Sequence, residues 1–180
     1  MNRRGFFKAG MDMVYRGVAR ELHNRTGGRA IRGIRPPYAL DETEFLNACT
    51  RCNQCIDACP HRVIFLLADG TPALDLLRKG CRLCRDWPCV TACEPGALKL
   101  PETGEDLEPA LPRLAHATIN TAACLPYSGP ECGACAASCP VPGALLWHGS
   151  RPAINAETCP GCGLCREDCI VEPKAVEIRL

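Results

Sequence analysis

The stretch Cys49-Thr50-Arg51-Cys52-Asn53-Gln54-Cys55-Ile56-Asp57-Ala58-Cys59-Pro60 decides the fold, because it places four cysteines within eleven residues. Three of the thiols are separated by two residues each, so a tight loop can turn all three toward one point. A disulfide framework gains its stability by closing longer loops, and cysteines this crowded do not close them. The spacing therefore indicates a metal site.

The same arrangement occurs four times, and it uses all sixteen cysteines of the 180-residue chain. The groups are Cys49, Cys52, Cys55, Cys59; Cys81, Cys84, Cys89, Cys93; Cys124, Cys132, Cys135, Cys139; and Cys159, Cys162, Cys165, Cys169. The fourth group repeats the spacing of the first, with Ile170 where Pro60 stands. The second group has four residues before Cys89, and the third has seven before Cys132.

The spacing C-x2-C-x2-C-x3-C-P is typical of bacterial [4Fe-4S] sites, in which the fourth cysteine binds the neighbouring cluster. A zinc site, the alternative, needs two C-x2-C pairs separated by a longer stretch. The pattern therefore predicts that the sixteen cysteines bind four [4Fe-4S] clusters as their metal ligands. We expect the first group to share clusters with the second, and the third with the fourth. In that case Cys59 joins the second group's cluster and Cys93 the first group's. A nested pairing, first with fourth and second with third, is the rival.

The composition supports a fold that depends on its clusters. The chain has nine aromatic residues against sixteen glycines and sixteen prolines, too few large side chains to build a sufficient core unaided. We expect cluster insertion to supply the missing folding energy. The longest apolar run, residues 63–68, is far short of the ~20 residues of a spanning helix.

An internal repeat predicts the domain organisation. After the first cysteine group come a short apolar strand, the turn Asp69-Gly70 and a returning strand. The C-terminal part repeats this plan, with a strand over 143–147, the turn Gly149-Ser150 and a strand over 152–155. We therefore predict a small α+β protein of tandem dicluster ferredoxin-like modules with much irregular loop, and short helices after each fourth cysteine. The modules span 36–100 and 113–180, joined by an acidic, proline-containing linker over 101–112.

A basic arm precedes the modules. Residues 1–35 carry nine Lys and Arg against two acidic residues, whereas the remainder carries twelve against eighteen. The start, Arg3-Arg4-Gly5-Phe6-Phe7, is similar to a twin-arginine export signal, but charged residues interrupt the apolar stretch such a signal needs. The apolar residues recur at helical spacing, which predicts an amphipathic helix over 9–23. We expect this helix either to pack on the cluster body or stay flexible, or to bind a partner or a membrane surface.

Few other residues suggest chemistry. His61 follows Cys59-Pro60, where it can donate a hydrogen bond to a cluster sulfide, although a surface histidine is the commoner case. Trp87 lies inside the second cysteine loop, where it shields a cluster, meets a partner or simply packs. Every cysteine is committed to a cluster, and no phosphate-binding loop is evident. We therefore expect no catalytic residue, no enzyme activity by the chain itself and no nucleic-acid partner.

The sequence resembles a known family. Ile34-Arg35-Pro36-Pro37, Asp41-Glu42, Phe45 and Cys49-Thr50-Arg51-Cys52 are similar to the start of the ferredoxin-type accessory proteins of periplasmic nitrate reductase systems. The second group's spacing, Cys124-Leu125-x-Tyr127 and residues 172–176 are similar to the same set and its methylamine-utilisation relatives, the NapF/NapG/MauM type. The resemblance covers roughly residues 33–180.

This resemblance implies electron transfer between a quinol-linked donor and a terminal oxidoreductase. The alternative is a maturation or docking protein for the catalytic subunit of that oxidoreductase. We expect a redox protein partner, either that subunit or a membrane quinol oxidase, and peripheral membrane contact through the basic arm. Because the export-type apolar stretch is lacking, we expect a cytoplasmic location with membrane association. Periplasmic placement by the twin-arginine route is the alternative.

Overall fold

The computed structural model describes residues 33–102 and 109–180. The predicted helix over 9–23, nearly all of the basic arm and the acidic part of the linker lie outside these residues. Within the described ranges, no helix combines the length and hydrophobicity needed to span a membrane. We refer to 33–102 as the N-terminal half and to 109–180 as the C-terminal half.

The first helix, α1 (Glu42–Ala48), leads the chain into the first cysteine group. Its N-cap is Asp41, whose carboxylate accepts the amide N–H groups of Thr43 and Glu44, both at 3.0 Å. Phe45, on the inner face, is fully buried. The helix ends at Cys49, which adopts an extended conformation. Capping and the burial of one aromatic ring thus fix where the cysteine loop begins.

The rest of the N-terminal half consists of two one-turn helices and a hairpin: α2 (Gln54–Asp57), β1 (Ile64–Leu66), β2 (Pro72–Leu74) and α3 (Pro88–Thr91). Strands β1 and β2 pair antiparallel, with Ile64 opposite Leu74. The predicted turn is confirmed: Gly70 has φ 79°, and the Asp69 carboxylate accepts the Thr71 amide at 2.9 Å. Positive φ at this position is what glycine provides without steric cost.

The C-terminal half contains six elements: β3 (His116–Ile119), α4 (Leu125–Ser128), β4 (Leu145–His148), β5 (Arg151–Ile154), α5 (Leu164–Glu167) and β6 (Val176–Arg179). The predicted hairpin is present as β4 paired with β5, with Gly149 at φ 64° in its turn. The pairing of β3 with β6, which joins the two ends of this half, was not predicted. Its counterpart in the N-terminal half is the single antiparallel bridge between Ala39 and Leu98.

The prediction of helices after each fourth cysteine is wrong. The one-turn helices α2, α3 and α5 each contain the third cysteine of a group and end two residues before the fourth. The third group has a turn over 134–138 in the corresponding place. At Cys59 and Cys139 the next residue is proline, which disfavours helical backbone in the residue before it. The helical turn therefore lies between the last two cysteines of a group.

One apolar core connects the two halves. It includes Phe45, Ile64 and Leu76 from the N-terminal half and Ala115 and Leu164 from the C-terminal half. Several of the remaining core residues are themselves cysteines, namely Cys55, Cys81, Cys89 and Cys162. The architecture is a small α+β fold of short strands and single-turn helices, consistent with a ferredoxin-like protein.

Candidate iron–sulfur centres

Four cavities in the described residues are each lined by four cysteines. The first lies under α1, where Phe45, Pro72 and Leu98 contribute to its apolar wall. We call it site 1, and its cysteines are Cys49, Cys52, Cys55 and Cys93. Three come from the first group, and the fourth is the last cysteine of the second group. Cys52 is exposed at the surface, whereas Cys55 is buried.

Site 2 lies between the β1–β2 hairpin and the second cysteine loop. Its cysteines are Cys59, Cys81, Cys84 and Cys89. Val63, Ile64, Leu74 and the indole of Trp87 supply apolar wall. Trp87 is only 7% exposed, so its indole is a buried part of this wall. The structure thus places Trp87 at the site as a wall residue.

The C-terminal half repeats this arrangement. Site 3 is lined by Cys124, Cys132, Cys135 and Cys169. Site 4 is lined by Cys139, Cys159, Cys162 and Cys165. Apolar wall comes from Trp147 and Val176 at site 3 and from Leu145 and Leu164 at site 4. The four cavities are of similar size, which suits the same kind of group in each.

In every site, three cysteines come from one group and the fourth from its partner. Cys59 lies with Cys81, Cys84 and Cys89, as the pairing of the first group with the second predicts. The nested rival requires Cys59 to lie beside the fourth group, and the structure does not place it there. The fourth cysteine reaches the partner group's site because of the one-turn helical segment before it. A residue four positions along a helix lies about one pitch further along the helix axis. The third and fourth cysteines of one group therefore reach two different cavities.

The thiols surround cavities and do not converge on one atom. Within 33–102 and 109–180, no three His, Cys, Asp or Glu side chains adopt the geometry of a single-ion site. The two findings are compatible, because the four ligands of a cubane bind four different irons at its corners. An all-thiolate donor set with an apolar wall fits a [4Fe-4S] cluster, and each cluster would use the four cysteines of its site.

Burial makes the thiols weak acids. It raises the pKa of Cys89 and Cys165 to about 12, and that of Cys55, Cys81 and Cys135 to about 11. Neighbouring cysteines add to the effect, since a second thiolate close by disfavours ionisation. Without a metal, these five groups are neutral at physiological pH. Only a positively charged partner such as iron stabilises so many thiolates in one place.

Backbone amides partly offset this effect. The pKa of Cys81, Cys159 and Cys162 is raised first by burial, and in each case a backbone N–H donated to the sulfur acts against the shift. The Gly161 amide lies 3.4 Å from the Cys159 sulfur, and the Leu98 amide lies 3.3 Å from the Cys93 sulfur. Such N–H···S contacts are among the features that set the potential of a bound cluster.

The histidines of the described residues differ in whether they lie at a cysteine cavity. His61 is exposed and contributes to the wall of site 2, so it is the histidine of the described residues that the structure brings to a cysteine cavity. His116 and His148 occupy exposed positions on β3 and β4. His23 lies outside the described residues. Among the histidines that the structure describes, His61 is thus the candidate for tuning a cluster.

Arg35 is a structural residue whose role the charge pattern did not reveal. Its side chain is 10% exposed and forms two bonds with the Glu42 carboxylate, at 2.9 and 2.7 Å. It also donates to the buried Thr71 hydroxyl at 2.7 Å, and its guanidinium lies 4.5 Å from the centre of the Phe45 ring. Arg35 therefore fixes α1 against β2, two elements that contribute Phe45 and Pro72 to the wall of site 1. In the sequence, the family motif that contains Arg35, Glu42 and Phe45 was the feature that could have indicated this structural role.

Comparisons with known proteins agree with this geometry. A family profile described as a 4Fe-4S binding domain matches residues 45–65. The ferredoxin-type protein NapG of Escherichia coli (strain K12) is 31% identical over 180 residues, covering 90% of this chain and 77% of the relative. The methylamine utilization ferredoxin-type protein MauM of Methylobacillus flagellatus is 34% identical over 166 residues, covering 81% and 67%.

The ferredoxin-type protein NapF of Escherichia coli (strain K12) is 35% identical over 154 residues, covering 83% of this chain and 87% of the relative. No solved structure matches the chain. The similarity to NapG, MauM and NapF extends over most of their lengths as well as over most of this chain. This chain therefore belongs to the ferredoxin-type iron–sulfur electron-transfer proteins, the family that includes NapG, MauM and NapF.

Proposed function

We propose that the chain carries four [4Fe-4S] clusters, one in each of sites 1 to 4, and relays electrons between a quinol-linked donor and a terminal oxidoreductase. The observation that carries the proposal is the division of the cysteines: sixteen thiols line four cavities, and each cavity contains four of them. On this proposal the two halves are tandem dicluster modules. The clusters supply one-electron redox chemistry, and the protein residues hold them, exclude water and donate hydrogen bonds to sulfur.

The chain's own side chains support a carrier more than a catalyst. The walls of sites 1 to 4 are mainly cysteine, proline and aliphatic side chains. Electrons need no substrate pocket, only redox centres near the surface. Cys52 of site 1 is exposed, which provides one such place. We therefore propose that the chain is not an enzyme by itself and that its partner is a redox protein, either an oxidoreductase catalytic subunit or a membrane quinol oxidase.

The first test is to measure iron and acid-labile sulfide on anaerobically purified full-length protein. Four cubanes require roughly sixteen irons and sixteen sulfides per chain. Cys55→Ala, Cys89→Ala, Cys135→Ala and Cys165→Ala each remove one ligand from one site. Each is expected to lose about a quarter of the iron. Ser138→Ala is the matched control, because Ser138 lies in the turn beside Cys139 but lines neither site 3 nor site 4, and its hydroxyl donates to the Asp168 carboxylate. Zinc without sulfide would contradict the proposal.

The alternative function is a maturation or docking protein for the catalytic subunit of an oxidoreductase, and the basic sequence of residues 1–32 suits either function. Eight Lys and Arg against two acidic residues suit an acidic partner or an anionic membrane.

We propose a cytoplasmic location with membrane association, the periplasm being the alternative. Deletion of 1–32 should leave the iron content unchanged and abolish flotation with anionic vesicles. If flotation is unchanged by the deletion, residues 1–32 do not bind the membrane.

A further inference from the structure

The two halves meet at two cysteine loops. The amide of Cys81, a site 2 residue, donates a hydrogen bond to the carbonyl oxygen of Cys162, a site 4 residue, at 2.7 Å. Both residues are buried, at 7% and 6% exposure. The loops that hold sites 2 and 4 are thus in direct backbone contact inside the shared core.

Two glycines permit this approach. A Cβ added to Gly80 would lie 2.7 Å from the backbone nitrogen and Cα of Leu164, closer than any side chain can pack. Gly163 has φ +81°, and a Cβ there would lie 3.2 Å from the Leu76 carbonyl oxygen. The nearest atom to a Cβ at Gly80 is Cδ2 of the Leu164 side chain, at 2.5 Å, but the next two belong to the Leu164 backbone. Any side chain at Gly80 therefore forces the two loops apart, because backbone atoms cannot rotate away as a side chain can.

Polar contacts around the junction hold the loops in register. The Glu167 carboxylate accepts the Gly80 amide at 2.8 Å and pairs with Arg82 at 3.1 Å. Arg166, its neighbour on α5, donates to the carbonyl oxygen of Leu77 at 3.1 Å. Helix α5 thus binds the segment 77–82 through two adjacent side chains in addition to the apolar contact of Leu164. The contact is specific and extends over both sides of the Cys81 backbone.

Within each half, the two sites are linked through the one-turn segments. In the N-terminal half, α2 carries Cys55 of site 1 and leads to Cys59 of site 2. In the C-terminal half, α5 carries Cys165 of site 4 and leads to Cys169 of site 3. Site 1 therefore adjoins site 2, and site 4 adjoins site 3. The junction described above then joins site 2 to site 4.

We propose that electrons pass through the sites in the order 1, 2, 4, 3, with sites 2 and 4 as the internal junction and sites 1 and 3 as the terminal sites. This order rests on the proposed function of the sixteen cysteines as cluster ligands. It differs from the order in the sequence, because the second half is entered through its last cysteine group. Exposure agrees with a terminal role for site 1, where Cys52 is exposed, and with an internal role for site 4, whose wall residues are all buried or half-buried.

The test uses two double variants of the full chain, each with two sites emptied. Cys52→Ala with Cys132→Ala empties the terminal sites, and Cys84→Ala with Cys165→Ala empties the internal sites. Both should keep half of the wild-type iron. After reduction with dithionite, electron paramagnetic resonance should show magnetic coupling between the two remaining clusters in the first double variant and isolated clusters in the second. Coupling in the second, or its absence in the first, overturns the order.

A second measurement leaves all sixteen cysteines in place. Gly80→Ala should weaken the magnetic coupling between the halves while the iron content stays at the wild-type level. Lys79→Ala, on the exposed side of the same loop, is the matched control and should leave the spectrum unchanged. If Gly80→Ala retains its full iron content and its spectrum is identical to that of the wild type, the contact between the loops of sites 2 and 4 does not carry the coupling, and the proposed order is wrong. Wild-type protein without iron and sulfide overturns the proposed function itself, so the two failures are distinguishable.

Discussion

The rings of Tyr38 and Trp87 pack edge to face, with their centres 4.8 Å apart and their planes at 85°. Trp87 has φ 44° and opens α3, while its ring covers site 2. The hydroxyl of Tyr38 donates to the carbonyl oxygen of Ala110 at 3.0 Å. The pair therefore connects the cover of site 2 to the segment that begins the C-terminal half. Such an aromatic pair contributes about 0.5–1.5 kcal/mol beyond its buried area.

Replacing Trp87 with Ala should destabilise the loaded protein by about 3–5 kcal/mol, because it removes a large buried ring. Water would then reach site 2. Since reduction adds negative charge, which water stabilises, we expect the potential of that cluster to rise. Redox titration followed by electron paramagnetic resonance measures the shift. Trp87→Phe should retain most of the cover and shift the potential less. A fall in potential in Trp87→Ala would contradict the role of the indole as a water barrier.

Replacing Arg35 with Ala should lower the free energy of unfolding by about 2–3 kcal/mol. The change leaves the Glu42 carboxylate and the buried Thr71 hydroxyl without their shared donor, and charged hydrogen bonds of this kind contribute about 1.5–3 kcal/mol. The denaturant midpoint of iron release from the loaded protein reports the loss, with site 1 affected first.

Arg78→Ala is the control for this change. Arg78 is also ion-paired, to Asp75 at 3.9 Å, but its side chain is 86% exposed. Exposed pairs of this kind contribute about 0–1 kcal/mol, so the midpoint should hardly move. Equal losses for Arg35→Ala and Arg78→Ala would mean that the buried network around α1 adds nothing to stability.

The cysteine spacing predicted which three thiols share a cavity because those three lie within one loop, whereas the fourth thiol was assigned from the internal repeat. The two hairpins were predictable for the same reason, since Asp69-Gly70 and Gly149-Ser150 lie between apolar runs. The pairing of β3 with β6 joins residues about 60 positions apart, and no local pattern encodes it.

The charge pattern misassigned one residue for a related reason. Arg35 is the last of a basic series in the sequence, yet its partners Glu42 and Thr71 place it in the core. Gly80 gave no signal because its requirement comes from Leu164, on the other half of the chain. Both roles depend on contacts that exist only after the chain has folded.

Loss of iron from the loaded protein to a chelator should be faster at pH 6.5 than at pH 8.5. Burial raises the pKa of Cys89 and Cys165 to about 12, so the freed thiols take up protons readily throughout this range. Protons therefore compete with iron for the sulfur more effectively as the pH falls. The decay of visible absorbance in EDTA gives the rate. Because EDTA itself binds iron better at higher pH, a rate that falls with rising pH can be assigned to the protein.

For the metal-free chain the pH dependence of stability has the opposite sign, so its stability falls as the pH rises. The folded pKa of these thiols lies above the value of about 8.5 expected for an unfolded cysteine. Their burial therefore favours the metal-free fold below that pH, and the contribution is lost as the pH rises toward the folded values of about 12. Metal-free protein should thus lose residual structure, measured by circular dichroism, as the pH increases from 8.5 to 11. Residual structure in the metal-free protein that persists unchanged from pH 8.5 to 11 would contradict the assignment of these thiols as buried.

The backbone at Asn53 gives the last prediction. Asn53 lies between Cys52 and Cys55 of site 1 with φ 70°, in the left-handed region, and its side chain forms no capping bond. Gly163 occupies the corresponding position at site 4 with φ 81°. Left-handed backbone costs about 1–2 kcal/mol for most residues, less for asparagine and little for glycine. Asn53→Val should therefore destabilise the loaded protein by about 1–2 kcal/mol, and Asn53→Gly should leave it within a few tenths of wild type.

Thermal unfolding of the loaded protein, followed by iron release, measures both changes. Thr50→Val is the matched control, because Thr50 is exposed in the same loop but lies outside the left-handed region. The valine should be tolerated there, since threonine is itself β-branched. If Asn53→Val and Thr50→Val lower the melting temperature equally, the loss comes from the loop's polarity. A loss confined to Asn53→Val means that the left-handed turn holds the cysteines of site 1 in place.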